Sequence, residues 1–313
     1  MKSSNIGGQA VMEGIMMRSG DQYSIGVRKP DGEIEVKVEP YRSWAKDSSI
    51  WKLPVFRGVA SFFESLVVGI RCLMYSASFI EDEEEDAKKP GKEKTEEQKE
   101  KEEKWLMYGT MTFSVIFSIA LFIMLPYFLA GFLRNVTTSE GVIAVAEACV
   151  RMILFLGYLV LISRMKDIQR VFMYHGAEHK CINCVEHGLE LNVENVMKSS
   201  REHKRCGTSF LLFVMIVSII FFLFIRVSSP VLRVVIRLLL MPVIAGVSYE
   251  IIRLAGKSDN KIVALLSKPG LMLQHLTTRE PEPEMAEVAI AAVEAVFDWR
   301  TYEAENFNTE TII

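Results

Sequence analysis

Between Tyr174 and His187 the chain reads YHGAEHKCINCVEH, and a second stretch, REHKRCG at 201–207, adds His203 and Cys206. Four of the five histidines and three of the five cysteines fall between His175 and Cys206, a density that points to a metal ion. On a helix, His175 and His179 stand four apart on one face, the separation at which two imidazoles reach one ion. Glu178 beside them completes H-x-x-E-H, the inverted order of the zinc-peptidase motif. In such a site the glutamate lies beyond the ligands and takes a proton from the attacking water.

Two histidines need further ligands, and the chain offers two sets. His203 and Cys206 stand three apart just before an apolar run. Cys181 and Cys184 form a CxxC, with His187 three residues on. Zinc accepts either set. The favoured one is His175, His179, His203 and Cys206, which joins the ends of two apolar runs and leaves Glu178 free for chemistry. H-x-x-E-H alone is a short pattern, so a structural zinc tying the loop to the membrane surface is the natural alternative. A redox role for the CxxC lacks a supporting βαβ pattern.

The elements that must position these residues are dominated by hydrocarbon. No charge falls between Trp105 and Leu133, or between Cys206 and Ile225, and each run is long enough for a helix to cross a bilayer core of about 30 Å. Two further spans, Gly141–Ile162 and about 231–252, carry a few charges. Glu147 and Arg151 lie four apart in the former, satisfied either by each other in a bundle or by headgroups. Basic residues crowd 163–205, where Arg164, Lys166, Arg170, Lys180, Lys198, Arg201, Lys204 and Arg205 place that segment and both termini in the cytoplasm. The cysteines there then face a reducing compartment and stay available as ligands. Cys72 and Cys149 read as small buried hydrophobes.

Outside these spans, 23–38 reads as a β-hairpin turning at Pro30-Asp31-Gly32. Residues 54–80 read as an amphipathic helix lying in the membrane interface or packed on the bundle, with Arg57, Glu64 and Arg71 sharing one face. A fifth crossing there would bury three charges. The segment 81–104 reads as a charged, disordered linker, and the tail after Arg279 carries a short soluble helix. The expected fold is mainly α, a polytopic membrane protein with about four transmembrane helices. Its regions are 1–80, the linker, a transmembrane region 105–253 enclosing the His/Cys segment 163–207, and a cytoplasmic tail 254–313. GGQ at 7–9 matches the tripeptide of peptide-release factors, but a membrane protein with no basic RNA-binding face is not expected to bind nucleic acid. Glu13 and Arg18 could form a second polar layer over the metal.

Four blocks in order, GGQAVMEGIMMR, YHGAEHKCINCVEHG, ENVMKSSREHKRCGTSFL and LQHLTTREPEPEMAEVAIAA, resemble the YqhQ-like family of bacterial membrane proteins along essentially the whole chain. The resemblance implies a multi-pass protein of the bacterial inner membrane with a supposed metal dependence. It carries over to Gly7, Gly8, Gln9, Glu13, His175, Glu178, His179, His203 and Cys206, while Cys181 is not a fixed part of the pattern. Two functions follow as expectations. One is a zinc-dependent hydrolase, Glu178 acting as base, on a peptide or lipid at the membrane. The other is a non-catalytic accessory subunit of a membrane complex such as the protein-translocation machinery, any metal being structural. Membrane lipids are expected neighbours in either case. A transporter ranks third, since the spans carry few polar groups.

Overall fold

The structure, a computed structural model, describes residues 2–43, 49–87, 96–225, 227, 229–257 and 260–307. Four antiparallel strands, β1 (Gly7–Val11), β2 (Gly14–Ser19), β3 (Gln22–Arg28) and β4 (Ile34–Pro40), form a meander in that order. The helices run α1 (Phe56–Ala87), α2 (Glu96–Ile119), α3 (Leu125–Gly131), α4 (Glu140–Ile162), α5 (Lys166–Glu186), α6 (Val193–Lys198), α7 (Gly207–Phe224), α8 (Pro230–Lys257), α9 (Lys261–Thr277), α10 (Pro283–Glu294) and α11 (Trp299–Phe307). The centre of the expected linker, 88–95, lies outside the described residues, and α1 and α2 run into it from either side.

The expected hairpin is the β3–β4 pair, with Arg28 opposite Ile34. Asp31 accepts the Glu33 amide and Gly32 takes a positive φ of 88° in its turn, a conformation glycine adopts without steric cost. The two strands before it have no legible alternation, for a physical reason. Both faces of the sheet are covered, so β2 is buried at four consecutive positions and loses the period-two pattern of a half-exposed strand.

One face of the sheet presents Val11, Met16, Tyr23, Ile25 and Val27, which form a core with Cys72 of α1, flanked by Val68, Tyr75 and Phe79. The other presents Ile15 and Met17, which pack with Tyr174 and Cys181 of α5, Val196 of α6 and Met285 and Ala289 of α10. Ser24 donates to the Ala292 carbonyl across 2.6 Å, fastening β3 to α10. The tail after Arg279 is therefore a core element.

Among the described residues, five helical stretches are long and apolar enough to cross a membrane: Phe56–Ile80, Tyr108–Asn135, Glu140–Ile162, Gly207–Phe224 and Val231–Gly256. Length and composition admit the first, yet its packing argues for the interface. The sheet and α5 share one core, so they lie on one side of any bilayer, and the chain between them must cross an even number of times. Three of the candidate stretches lie in that interval, so one does not cross. We assign it to α1, whose charged residues meet polar partners in the same unit. Arg57 pairs with Glu250, Glu64 accepts from the Tyr41 and Ser43 hydroxyls, and Arg71 lines a pocket with Tyr23 and Tyr41. Phe56, Phe63, Leu66, Leu73 and Met74 remain exposed, the apolar stripe of an interfacial helix.

The chain divides into two compact units, one of Met1–Asp82, Leu161–Val217 and Pro242–Ile313, the other of Glu83–Val160 and Ser218–Met241. Within the second, Glu147 and Arg151 pair in the interior at 2.6 Å, and Arg237 joins the same carboxylate at 2.6 Å. The Phe222 ring stacks under both guanidinium groups. A π-helical turn at Ala120–Met124, just ahead of Pro126, disturbs the regular backbone ladder, and there the Phe122 carbonyl accepts from Arg151 Nε at 3.1 Å. Cys149, expected to be buried, is exposed.

Candidate metal centre

The site belongs to the first unit. α4 and α5 are not one continuous helix, because the chain turns at 163–165 and α5 starts afresh at Lys166. That break lets α5 leave the apolar span and lie against the sheet. It carries His175 and His179 on one face, with ring centroids 4.4 Å apart.

Both rings are oriented by backbone carbonyls. His175 Nδ1–H donates to Thr277 O at 2.8 Å, and His179 Nδ1–H donates to Arg201 O at 2.5 Å. Each bond assigns the proton to Nδ1 and leaves Nε2 with a free lone pair, as the outer partners of metal-bound histidines do. His179 Nε2 is buried with no hydrogen-bond partner among the described residues, a costly arrangement unless an ion occupies its lone pair. Cys206, at the entry to α7, brings its thiol to 3.2 Å from His175 Nε2. Thr208 N–H donates to the same sulfur at 3.4 Å. Ligand atoms of His175, His179 and Cys206 all lie within 4.8 Å of one another. Two imidazoles and one thiol suit zinc, a borderline-soft ion, better than a hard cation such as magnesium.

Glu178 lies at the edge of this group, with Oε2 4.0 Å from His175 Nε2. Burial pushes its carboxyl up to about 7, against the opposing pull of His175. Gly8 of β1 covers it so closely that a Cβ there would sit 2.6 Å from Glu178 Cγ. A pocket of about 270 Å³ opens beside these residues, walled by Gly7, Gly8 and Ala10 of β1, by His175 and Glu178, and by Cys206.

His203, expected as the fourth ligand, is not in the group of three. Gln274 fixes its backbone, accepting its amide at 2.9 Å and donating to its carbonyl at 2.8 Å. Its Nε2 faces Glu186 at 3.6 Å. Burial works to raise the Glu186 carboxyl, but His203, Arg205 and the Ser4 amide hold it down at about 2. Burial lowers the His203 imidazole although Glu186 opposes it. His203 therefore belongs to a buried polar layer behind His179, its ring 5.7 Å from that of His179.

The CxxC set does not converge on the site. Cys181 and Cys184 sit in the hydrophobic core, where burial pushes Cys181 far up and Cys184 to about 11. His187 Nδ1 donates to Asn183 O instead. Glu13 and Arg18 are also occupied elsewhere: Glu13 receives Arg170 and Tyr174, and Arg18 stacks on Tyr41. Glu13 nonetheless holds a left-handed backbone, φ 49°, in the β1–β2 turn, and so ties that turn to α5.

Sequence reasoning missed Gly176, Thr277 and Arg201. Gly176 is signalled only as a glycine inside a helical pattern. The carbonyls of Thr277 and Arg201 carry no signal in residue type.

A sheet sandwiched by helices, apolar spans and a buried His/His/Cys group define a multi-pass membrane protein with a candidate metal site. The chain belongs to the family described as "Protein of unknown function (DUF1385)", whose model matches residues 53–299. It is 38% identical over 286 residues to "Uncharacterized protein YqhQ" of Bacillus subtilis (strain 168), covering 91% of this chain and 89% of that protein. No solved structure matches it.

Proposed function

We propose that this protein is a zinc-dependent hydrolase at the cytoplasmic face of the bacterial inner membrane, with His175, His179 and Cys206 as ligands and Glu178 as general base. The observation that carries the reading is the paired Nδ1–H donation to Thr277 and Arg201, which turns two Nε2 lone pairs toward Cys206. Three protein ligands beside an accessible pocket are the pattern of a catalytic zinc, whereas structural sites close with four. Bound zinc would supply Lewis-acid polarisation of the reacting oxygen. Glu178 takes a proton from the attacking water, whose oxygen joins the carbonyl carbon of a peptide or ester. It then returns that proton to the leaving nitrogen or oxygen as the scissile bond breaks. The basic 163–205 segment supports a cytoplasmic site.

Elemental analysis of purified protein should find about one zinc per chain, lost in a His175→Ala, His179→Ala double variant. Glu178→Gln should keep the metal and the fold and lose function in cells. Unchanged metal content in the double variant overturns the site.

A second reading, an accessory subunit with a structural metal, is favoured by one observation: His179 and Cys206 are both buried, as in a closed zinc site. Such a metal would clamp α5 to the entry of α7, and the protein would dock on a membrane complex such as the translocation machinery. A fully functional Glu178→Gln variant selects this reading over the hydrolase.

A further inference from the structure

The pocket's wall of backbone bears on the substrate. β1 is an edge strand, paired only with β2 among the described residues. Its pairing closes at Val11 opposite Gly14 across the two-residue turn Met12-Glu13, with Gln9 opposite Met16 and Gly7 opposite Arg18. In an antiparallel hairpin these alternate residues exchange hydrogen bonds with the partner strand, while those between them direct N–H and C=O outward. Gly8 and Ala10 are the residues between, and both line the pocket that contains His175, Glu178 and Cys206. Gly7 and Gly8 bring no side chains of their own to that edge.

We propose that the pocket takes an extended peptide segment, which adds to β1 as a further strand through the outward N–H and C=O groups of Gly8 and Ala10. Strand addition gives affinity through the main chain and leaves specificity to pockets for alternate side chains. Here Val171, Phe172 and Ile182 supply an apolar wall. A strand laid on β1 runs beside Glu178, since Gly8 packs directly on that carboxylate. A lipid ester would make no use of two outward amide groups at strand spacing. The inference names the substrate class of the hydrolase proposed above and rests on that reading for chemistry, though not for binding.

The test uses the full chain, zinc-loaded, in phosphatidylethanolamine/phosphatidylglycerol nanodiscs, with Gly7→p-benzoylphenylalanine as photo-crosslinker. The probes are synthetic peptides of about ten residues, enough for a strand of ordinary length. Each is made in parent form and with single backbone N-methyl groups scanned along it. Crosslinking should capture peptides. N-methylation should cut capture about tenfold or more at alternate positions and little in between, following the period of a strand. Labelling confined to the nanodisc lipid, or capture indifferent to N-methylation, overturns the inference. Capture without cleavage, unchanged by Glu178→Gln, supports peptide binding while sinking the hydrolase reading. Glu178-dependent lipid hydrolysis with no peptide capture keeps the hydrolase and overturns the peptide assignment.

Discussion

Gly176 lies directly after His175, and its replacement by alanine tests whether the site is positioned from outside. A Cβ there would lie 2.0 Å from the Arg279 carbonyl oxygen and 3.2 Å from its carbon. Ordinary carbon–oxygen contact begins near about 3.3 Å, so the segment carrying Arg279 must retreat by about 1 Å or more. Retreat breaks the Arg279 N–H bond to Phe172 O, 2.8 Å, and draws away Thr277, whose carbonyl receives His175 Nδ1–H. Overpacking costs about 1–3 kcal/mol and the broken hydrogen bond about 1 kcal/mol, against a helical gain for alanine of about 0.5–1 kcal/mol. Net destabilisation is about 1–3.5 kcal/mol, and loss of the outer partner should weaken zinc binding about 10- to 100-fold. Thermal unfolding in detergent and zinc competition against a chromophoric chelator read the two effects. Gly157→Ala is the control, a helical glycine with nothing within 4 Å, and should be neutral or stabilising. A Gly176→Ala protein as stable as the wild type, with undiminished zinc affinity, refutes the argument.

Gly8→Ala should displace the Glu178 carboxylate, because its Cβ would fall 2.7 Å from Glu178 Oε1. Zinc content should hold while function in cells falls to that of Glu178→Gln. Glu147→Ala strips the shared anion from Arg151 and Arg237, both 3% exposed, leaving two buried cations unpaired. It should cost at least about 3 kcal/mol, read as a lowered melting midpoint, and more than Arg237→Met. Burial, with Glu190 nearby, raises the Glu303 carboxyl to about 7, above its unfolded value. Its protonated form is favoured in the folded state, so its contribution is full at acid pH and lost as pH rises through 7. Melting midpoints measured from pH 5 to 8 should fall with pH less steeply in Glu303→Gln than in the wild type.

The parts of this protein legible in its sequence are those governed by periodicity. Uncharged runs mark the spans because hydrocarbon tolerates little else. The i, i+4 spacing of His175 and His179 survives intact because α5 is regular there. Cys206 is legible too, since it closes the loop between two spans. His203 is equally well placed by spacing, yet its ring is turned toward Glu186, a carboxylate also held by nearby Arg205 and by Ser4, 182 residues away in the chain. Strand β2 is illegible because burial on both faces erases alternation, and β1 because two of its five residues are glycines. The fit of Gly8 over Glu178 joins residues 170 apart, a juxtaposition no local pattern encodes.

The bond from Ser24 to the Ala292 carbonyl spans 268 residues, and with it comes a constraint of timing. The N-terminal sheet is made first, yet one of its faces stays open until α5 has been synthesised and is not sealed until α10 follows. Throughout that interval the spans of α2–α3, α4, α7 and α8 are being inserted while a nascent sheet waits with apolar surface and an open strand edge, the features that invite misassociation. The metal group has the same dependence, because His175 receives its orienting carbonyl from Thr277, nearly the last residue before the closing helix. A chain cut between Cys206 and Thr277 would therefore hold all three ligands and the carbonyl that aims His179 yet lack the one that aims His175, so competence of the site reports synthesis through α9.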